Sequence, residues 1–179
     1  SEGSAVAKLL WSYPGQAETT IPQAQLFSDP VAAATSPTYL SELNPVLSVN
    51  GYGRYERDRS NGESRPRDGR TIEINDVQYG RGLGVHAASD LRYQLFGKYK
   101  VFLADIGVDD EVGAGGSVVF EVWLDGVRKY VSSMRTGADP AVPMSLDVAG
   151  VNELKLIVLD GGDGITRDRS EEHTSELQS

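Results

Sequence analysis

Cysteine is absent from the 179-residue chain. That excludes a disulfide framework and any thiolate metal site. Long apolar runs are also missing, so no segment has the length to span a membrane as a helix. Basic residues are in deficit, with 17 Lys and Arg against 26 Asp and Glu and a net charge of −9. Nucleic acid demands a basic face and is therefore not an expected partner. No Ser/His/Asp order, zinc-ligand spacing or phosphate loop occurs. Carboxylates are plentiful enough for the paired acids of a glycosidase, but no catalytic motif accompanies them. The chain is expected not to be an enzyme by itself. Internal repeats, a signal-peptide pattern and a long amphipathic helix are all lacking. The chain opens on Ser1 and reads as a piece of a longer polypeptide.

What is present is turn chemistry and short strands. Twenty glycines and eight prolines punctuate the chain, and a hydrophobic content of 39% suffices for one sandwich-sized core. Thr71 to Ile74 alternates, Asn75-Asp76 turns, and Val77 to Tyr79 alternates back, which predicts a hairpin. Leu91 to Leu95 alternates strictly and should have one wet face. Tyr99 to Val108 and Glu153 to Leu159 are apolar on both faces and should be central strands. Val118, Phe120, Val122 and Leu124 share one face, and Asp125-Gly126 then turns the chain into Val127 to Val131. Tyr39 to Leu43 has room for a single helical turn before Pro45. Several short strands separated by Gly, Asp and Asn turns predict an all-β sandwich.

The densest local signal is Tyr79-Gly80-Arg81-Gly82-Leu83-Gly84-Val85-His86-Ala87. Three alternating glycines are costly in a strand and call for a reason. Either they mark a β-bulge with a hydrogen-bonded core histidine, or they open the backbone for a ligand that His86 contacts.

The chain divides into three stretches. Residues 1–37 are irregular and rich in Ala, Thr, Ser and Pro, and read as the end of an upstream domain with its linker; Trp11 belongs to that part. Residues 38–168 form the folded module. Residues 169–179 match the in-frame translation of a common short-read sequencing adapter and are read as a scar outside the natural protein. A polar C-terminal helix from Ser170 is the alternative.

Several segments in order carry a family likeness: Tyr39-Leu40-Ser41-Glu42-Leu43, Asn50-Gly51-Tyr52-Gly53, Glu56 to Gly62, Gly82 to Ala87, Gly107 to Gly113, Val122 to Gly126 and Asp160 to Gly164. Together they resemble the NPCBM/NEW2 domain, a novel carbohydrate-binding module related to carbohydrate-binding module family 51. The resemblance implies a galactose-binding-like jelly-roll β-sandwich. It also implies a non-catalytic appendage of secreted, often bacterial, glycoside hydrolases. The partners implied are thus a glycan or polysaccharide and a covalently linked catalytic domain, outside the cell or at its surface. The family continues past the Gly162-Asp163-Gly164 turn into a final segment that is not recognisable here, so the last strand is expected to be missing.

Sugar recognition needs planar hydrogen-bonding groups for hydroxyls and an aromatic face for the ring. His86, Asn50, Glu56 and Asp58 supply the first, and Tyr52 and Tyr55 are the aromatics available for the second. The alternative for the loop carrying them is a solvated turn with Arg57 and Asp58 paired on the surface. Trp123 could stack on a sugar, but packing on the second face of the sandwich is the stronger expectation. Asp109, Asp110, Asp160 and Asp163 lie in acidic glycine turns and offer the hard oxygen ligands that calcium prefers, although Asp109 at a strand end also suits an Asx turn. The alternative function is a structural or protein-interaction sandwich that packs against a catalytic neighbour without binding sugar.

Overall fold

The computed structural model describes residues 37–61, 67–113, 116–162 and 169–178; within the last stretch only the Leu177 side chain is described. Residues 1–36, expected to be upstream sequence and linker, and Asp163 lie outside the described residues. All described residues fall in one compact unit, residues 35–179.

Among them are fourteen strands. They are β1 (Thr38–Tyr39), β2 (Leu47–Val49), β3 (Glu56–Arg57), β4 (Ile72–Ile74), β5 (Val77–Tyr79), β6 (Gly82–His86) and β7 (Ser89–Gln94), followed by β8 (Val101–Val108), β9 (Ser117–Leu124), β10 (Val127–Val131), β11 (Arg135–Thr136), β12 (Val142–Asp147), β13 (Glu153–Asp160) and β14 (Arg169–Gln178). Single 3₁₀ turns cover Leu40–Glu42 and Asp110–Val112. The first sheet runs β12-β8-β14-β6-β3, with β1 also on β14; the second runs β10-β9-β13-β7-β2, with β11 also on β9. The pairs are antiparallel, as a sandwich of hairpins and crossovers requires.

Side-chain period two explains the core. Leu91 and Tyr93 of β7, Phe102, Ala104 and Ile106 of β8, Val118, Phe120 and Val122 of β9, and Leu154, Leu156 and Val158 of β13 are all nearly inaccessible to solvent. These inner faces meet in one apolar cluster that also takes Leu83 and Val85 from β6. β8 and β13 each have a strand on both sides, as their continuous apolar character predicts. The β4–β5 hairpin turns at Asn75 and Asp76, both with positive φ (48° and 64°), where Asn and Asp are the best tolerated side chains. It packs outside the first sheet: a Cβ on Gly107 would lie 2.7 Å from Ile74 side-chain atoms.

One expectation is corrected. The sheet does not lack a strand between β6 and β8, because Arg169–Gln178 fills that position. It pairs with β6 from Arg169↔His86 to His173↔Gly82 and with β8 from Ser170↔Val108 to Gln178↔Val101. Two neighbouring strands present unpaired N–H and C=O groups to the gap between them. Any extended segment satisfies those groups through its own backbone, whatever its side chains. Leu177 adds an apolar side chain to the core. A polar composition therefore did not keep this segment out of the sheet.

Candidate functional site

The glycine-rich strand β6 has two different faces. Leu83 and Val85 point into the core, while Gly82, Gly84 and His86 alternate onto the opposite face. The segment Asn50–Asn61 lies against that strand. Gly51 N donates to His86 O (3.0 Å), β3 pairs Glu56 with Gly84, and Asp58 N donates to Gly82 O (2.9 Å). A Cβ on Gly84 would run into the Arg59 carbonyl oxygen and sit 2.6 Å from Asn61 N. The pairing of β6 with β14 keeps an unbroken register, so the glycine is there for close approach and not for a bulge. Asp58 reaches its position through a left-handed backbone, φ 57°, and Gly53 turns the loop at φ 63°.

Three of the proposed residues converge at one end of β6. Asn50 Oδ1 accepts the His86 N–H (2.7 Å), and Asn50 Nδ2 donates to the carbonyl of Tyr52 (2.6 Å) and to Asn61 Oδ1 (2.9 Å). The Tyr52 and His86 rings stand with centroids 5.9 Å apart, tilted at 51°. Tyr52 is 46% exposed and His86 only 7%. His86 Nδ1 lies 2.6 Å from the Ala87 carbonyl. A carbonyl can only accept, so that contact assigns the proton to Nδ1 and leaves Nε2 as an acceptor for a hydroxyl.

Glu56 and Asp58 lie on a neighbouring cavity of about 850 Å³, which Asn50 also lines. Glu56 is buried and takes the Arg67 N–H on Oε1 (2.8 Å). Asp58 does not pair with Arg57. It accepts from Gly82 N (3.1 Å) and faces Arg81 Nη1 (3.3 Å), which also faces Glu42 at 3.3 Å. Arg57 turns instead to neutral oxygens, Tyr55 Oη (Nη2 2.9 Å, Nε 3.2 Å) and Asn44 Oδ1 (2.9 Å). Arg54, Arg59 and Arg67 complete the basic lining. Sequence reasoning passed over these arginines; the signal was the dense Arg54-Tyr55-Glu56-Arg57-Asp58-Arg59 run, which looks like an ordinary solvated loop until its partners are known.

The calcium candidates take a different role. Asp109, 1% exposed, accepts from Glu73 N (2.9 Å) and Glu111 N (2.8 Å), one bond per carboxylate oxygen. Asp110 likewise holds Asn75 N and Asp76 N, both at 2.8 Å. Asp160 accepts from Gly162 N (2.7 Å). Among the described residues the carboxylates that gather are Glu73, Asp76 and Asp110, with oxygens within 4.8 Å of one another. Asp109 and Asp160 are not in that group. The Asp109 and Asp110 oxygens accept from peptide N–H groups and hold the β4–β5 hairpin to the end of β8, and of the expected calcium residues Asp110 belongs to the acidic group.

Trp123 lies on the outer face of the second sheet, half-buried, with Nε1 donating to Glu121 Oε2 (2.8 Å). Lys155 Nζ and Arg128 Cζ stand 5.2 and 5.9 Å from its ring centroid. It is packed by cations on the outside of the sandwich instead of between the sheets. Desolvation acts to raise the Glu121 carboxyl, but the Trp123 indole and Arg128 more than offset it and hold it below the usual carboxylate value.

Comparison with known proteins adds four findings. The family model described as the NPCBM/NEW2 domain matches residues 36–174. A CBM51 from Clostridium perfringens GH95, solved in complex with methyl-galactose, is 35% identical with a TM-score of 0.72, covering 80% of this chain and 100% of that one. A structure of CBM51-2, in complex with GlcNAc, and INT domains from Clostridium perfringens ZmpB is 25% identical with a TM-score of 0.73, covering 82% of this chain and 32% of that one. Among curated proteins, a Renibacterium salmoninarum protein whose name proposes endo-alpha-N-acetylgalactosaminidase activity is 35% identical over 129 residues. That match takes in 72% of this chain and 8% of the relative's length.

Proposed function

The chain belongs to the NPCBM/NEW2 domain family, and from that we propose a non-catalytic carbohydrate-binding module that holds an attached, secreted glycoside hydrolase on galactose-like or related glycans. It is not an enzyme by itself: the relatives that resemble it in fold and sequence are binding modules. The observation that carries the reading is the convergence of His86, Asn50 and the exposed Tyr52 at one end of β6, beside a cavity bordered by Glu56 and Asp58. Nε2 of His86 accepts a sugar hydroxyl, and Tyr52 covers a ring face. The gain to a tethered enzyme is effective concentration, with affinity for one site weak, on the order of 10 µM to 1 mM. No helix among the described residues is long and apolar enough to cross a membrane.

The second reading, a packing module without a sugar site, draws on the low exposure of His86 and its bond to the Ala87 carbonyl. A glycan array decides between them. The wild-type chain is expected to retain galactose-type termini, and His86→Ala to lose that retention while unfolding at a similar temperature. A folded wild type that binds nothing on the array favours the packing module. Equal retention by both proteins removes His86 from the site.

A further inference from the structure

We infer that the cavity beside Asn50 selects saccharides bearing a carboxylate or sulfate ester over their neutral counterparts. This deepens the carbohydrate-binding reading and rests on it. The chain is acidic overall, at −9, yet five guanidinium groups border this one cavity and no lysine does. They face three carboxylates. Two of those, Glu42 and Asp58, are shared by Arg81 alone, and the third, Glu56, takes a backbone N–H.

Among the described residues the other four guanidiniums have no carboxylate partner. Two of them are nevertheless fixed in place. Arg57 is half-buried and held through Nε and Nη2 by Tyr55 Oη and Asn44 Oδ1, which leaves Nη1 uncommitted. The Tyr55 ring lies 5.7 Å from its Cζ. Arg59 is held through Nη1 by the Gly69 carbonyl at 3.0 Å, which leaves Nε and Nη2 uncommitted. Neutral oxygens thus orient the cations without cancelling their charge. An arginine so placed has lost its side-chain freedom before any ligand arrives, and its remaining N–H donors match the planar oxygens of a carboxylate or sulfate. A neutral sugar would use the same donors as single, weaker hydrogen bonds.

The test is a calorimetric titration of the full chain with four probes: galactose, galacturonic acid, galactose 6-sulfate and inorganic sulfate. At least one acidic sugar is expected to bind about tenfold more tightly than galactose at low salt, as a charge-assisted contact implies. The advantage should shrink at about 0.5 M salt, where the Debye length is short. It should fall in Arg57→Gln and in Arg59→Gln, each of which should lower acidic-sugar affinity several-fold more than galactose affinity. Arg59 is exposed, so its variant reads the effect even if Arg57→Gln loosens the loop. A response to one acidic sugar alone identifies the anion. Galactose binding with no acidic advantage overturns the inference and leaves the binding module standing, as does an advantage that survives in both variants. Inorganic sulfate binding as tightly as the sulfated sugar overturns selection of a saccharide. No binding of any sugar overturns both readings.

Discussion

At the corner after β8, Asp109 and Asp110 place all four carboxylate oxygens on peptide N–H groups. In the loop over β6, Asn50 makes a similar set of bonds to backbone, but the groups around it are left with capacity to spare. His86 keeps Nε2, Arg57 keeps Nη1, and Arg59 keeps two nitrogens. Both regions are clusters of charged and polar residues in glycine-rich sequence. The difference lies in what their hydrogen-bonding valence is already used for. A cluster whose donors and acceptors are all matched internally holds structure. One that fixes its side chains yet leaves outward-facing atoms unmatched can hold a ligand.

The comparison is broken most forcefully at the corner. Asp109→Ala strands two N–H groups beside a site that is 1% exposed. The expected loss is about 3 kcal/mol of folding free energy, read by urea denaturation. Glycan retention of the fraction that remains folded should be unchanged. A stable variant that no longer binds would place the corner in the site after all. Next comes the floor beneath the loop. Gly84→Ala adds one methyl group against Arg59 O and Asn61 N, and should cost about 2 kcal/mol by displacing the loop. Retention on the glycan array should drop with it, since Asn50 and His86 depend on that seating. Full retention would mean the site does not depend on how the loop sits.

The smallest effect concerns the outer patch, which belongs to neither region. Glu121 has its carboxyl held below the ordinary value. Its contribution is therefore present above the unfolded-state pKa of roughly 4.3 and disappears as pH falls through the lower folded value. Melting temperatures followed from pH 6 to pH 3 should fall more steeply for wild type than for Glu121→Gln. The difference should stay below about 1 kcal/mol, because Arg128 is half-exposed and solvent screens the pair. Parallel curves would show that the Trp123 and Arg128 contacts do not favour the charged form, and glycan retention should not respond at all.

Much of the fold was legible. The alternation of Val118, Phe120, Val122 and Leu124 fixes which side of β9 is inside, because a strand sends successive side chains to opposite faces. Asn75-Asp76 and Asp125-Gly126 announce their hairpins through their tolerance of positive φ. The ordered motifs pointed to the family that the 36–174 match then established. At the site, His86, Asn50 and Tyr52 were nameable in advance because a histidine at the end of a glycine lane is an unusual expense in a strand. Their mutual geometry was not, since 36 positions separate Asn50 from His86 along the chain.

Local chemistry, then, determined by itself β4, β5, β7 to β10 and β13, the β4–β5 and β9–β10 turns, the all-β class and the pool of sugar-contacting candidates, because periodicity and backbone tolerance act over a few residues. Pairing over long sequence distances was decided only in three dimensions. It put Asp58 with Arg81 and left Arg57 to neutral oxygens, turned Asp109 into a clasp, and carried Trp123 to the outside of the second sheet. It also drew the polar Arg169–Gln178 segment between β6 and β8, where backbone hydrogen bonding asks for an extended chain and is nearly blind to side-chain identity.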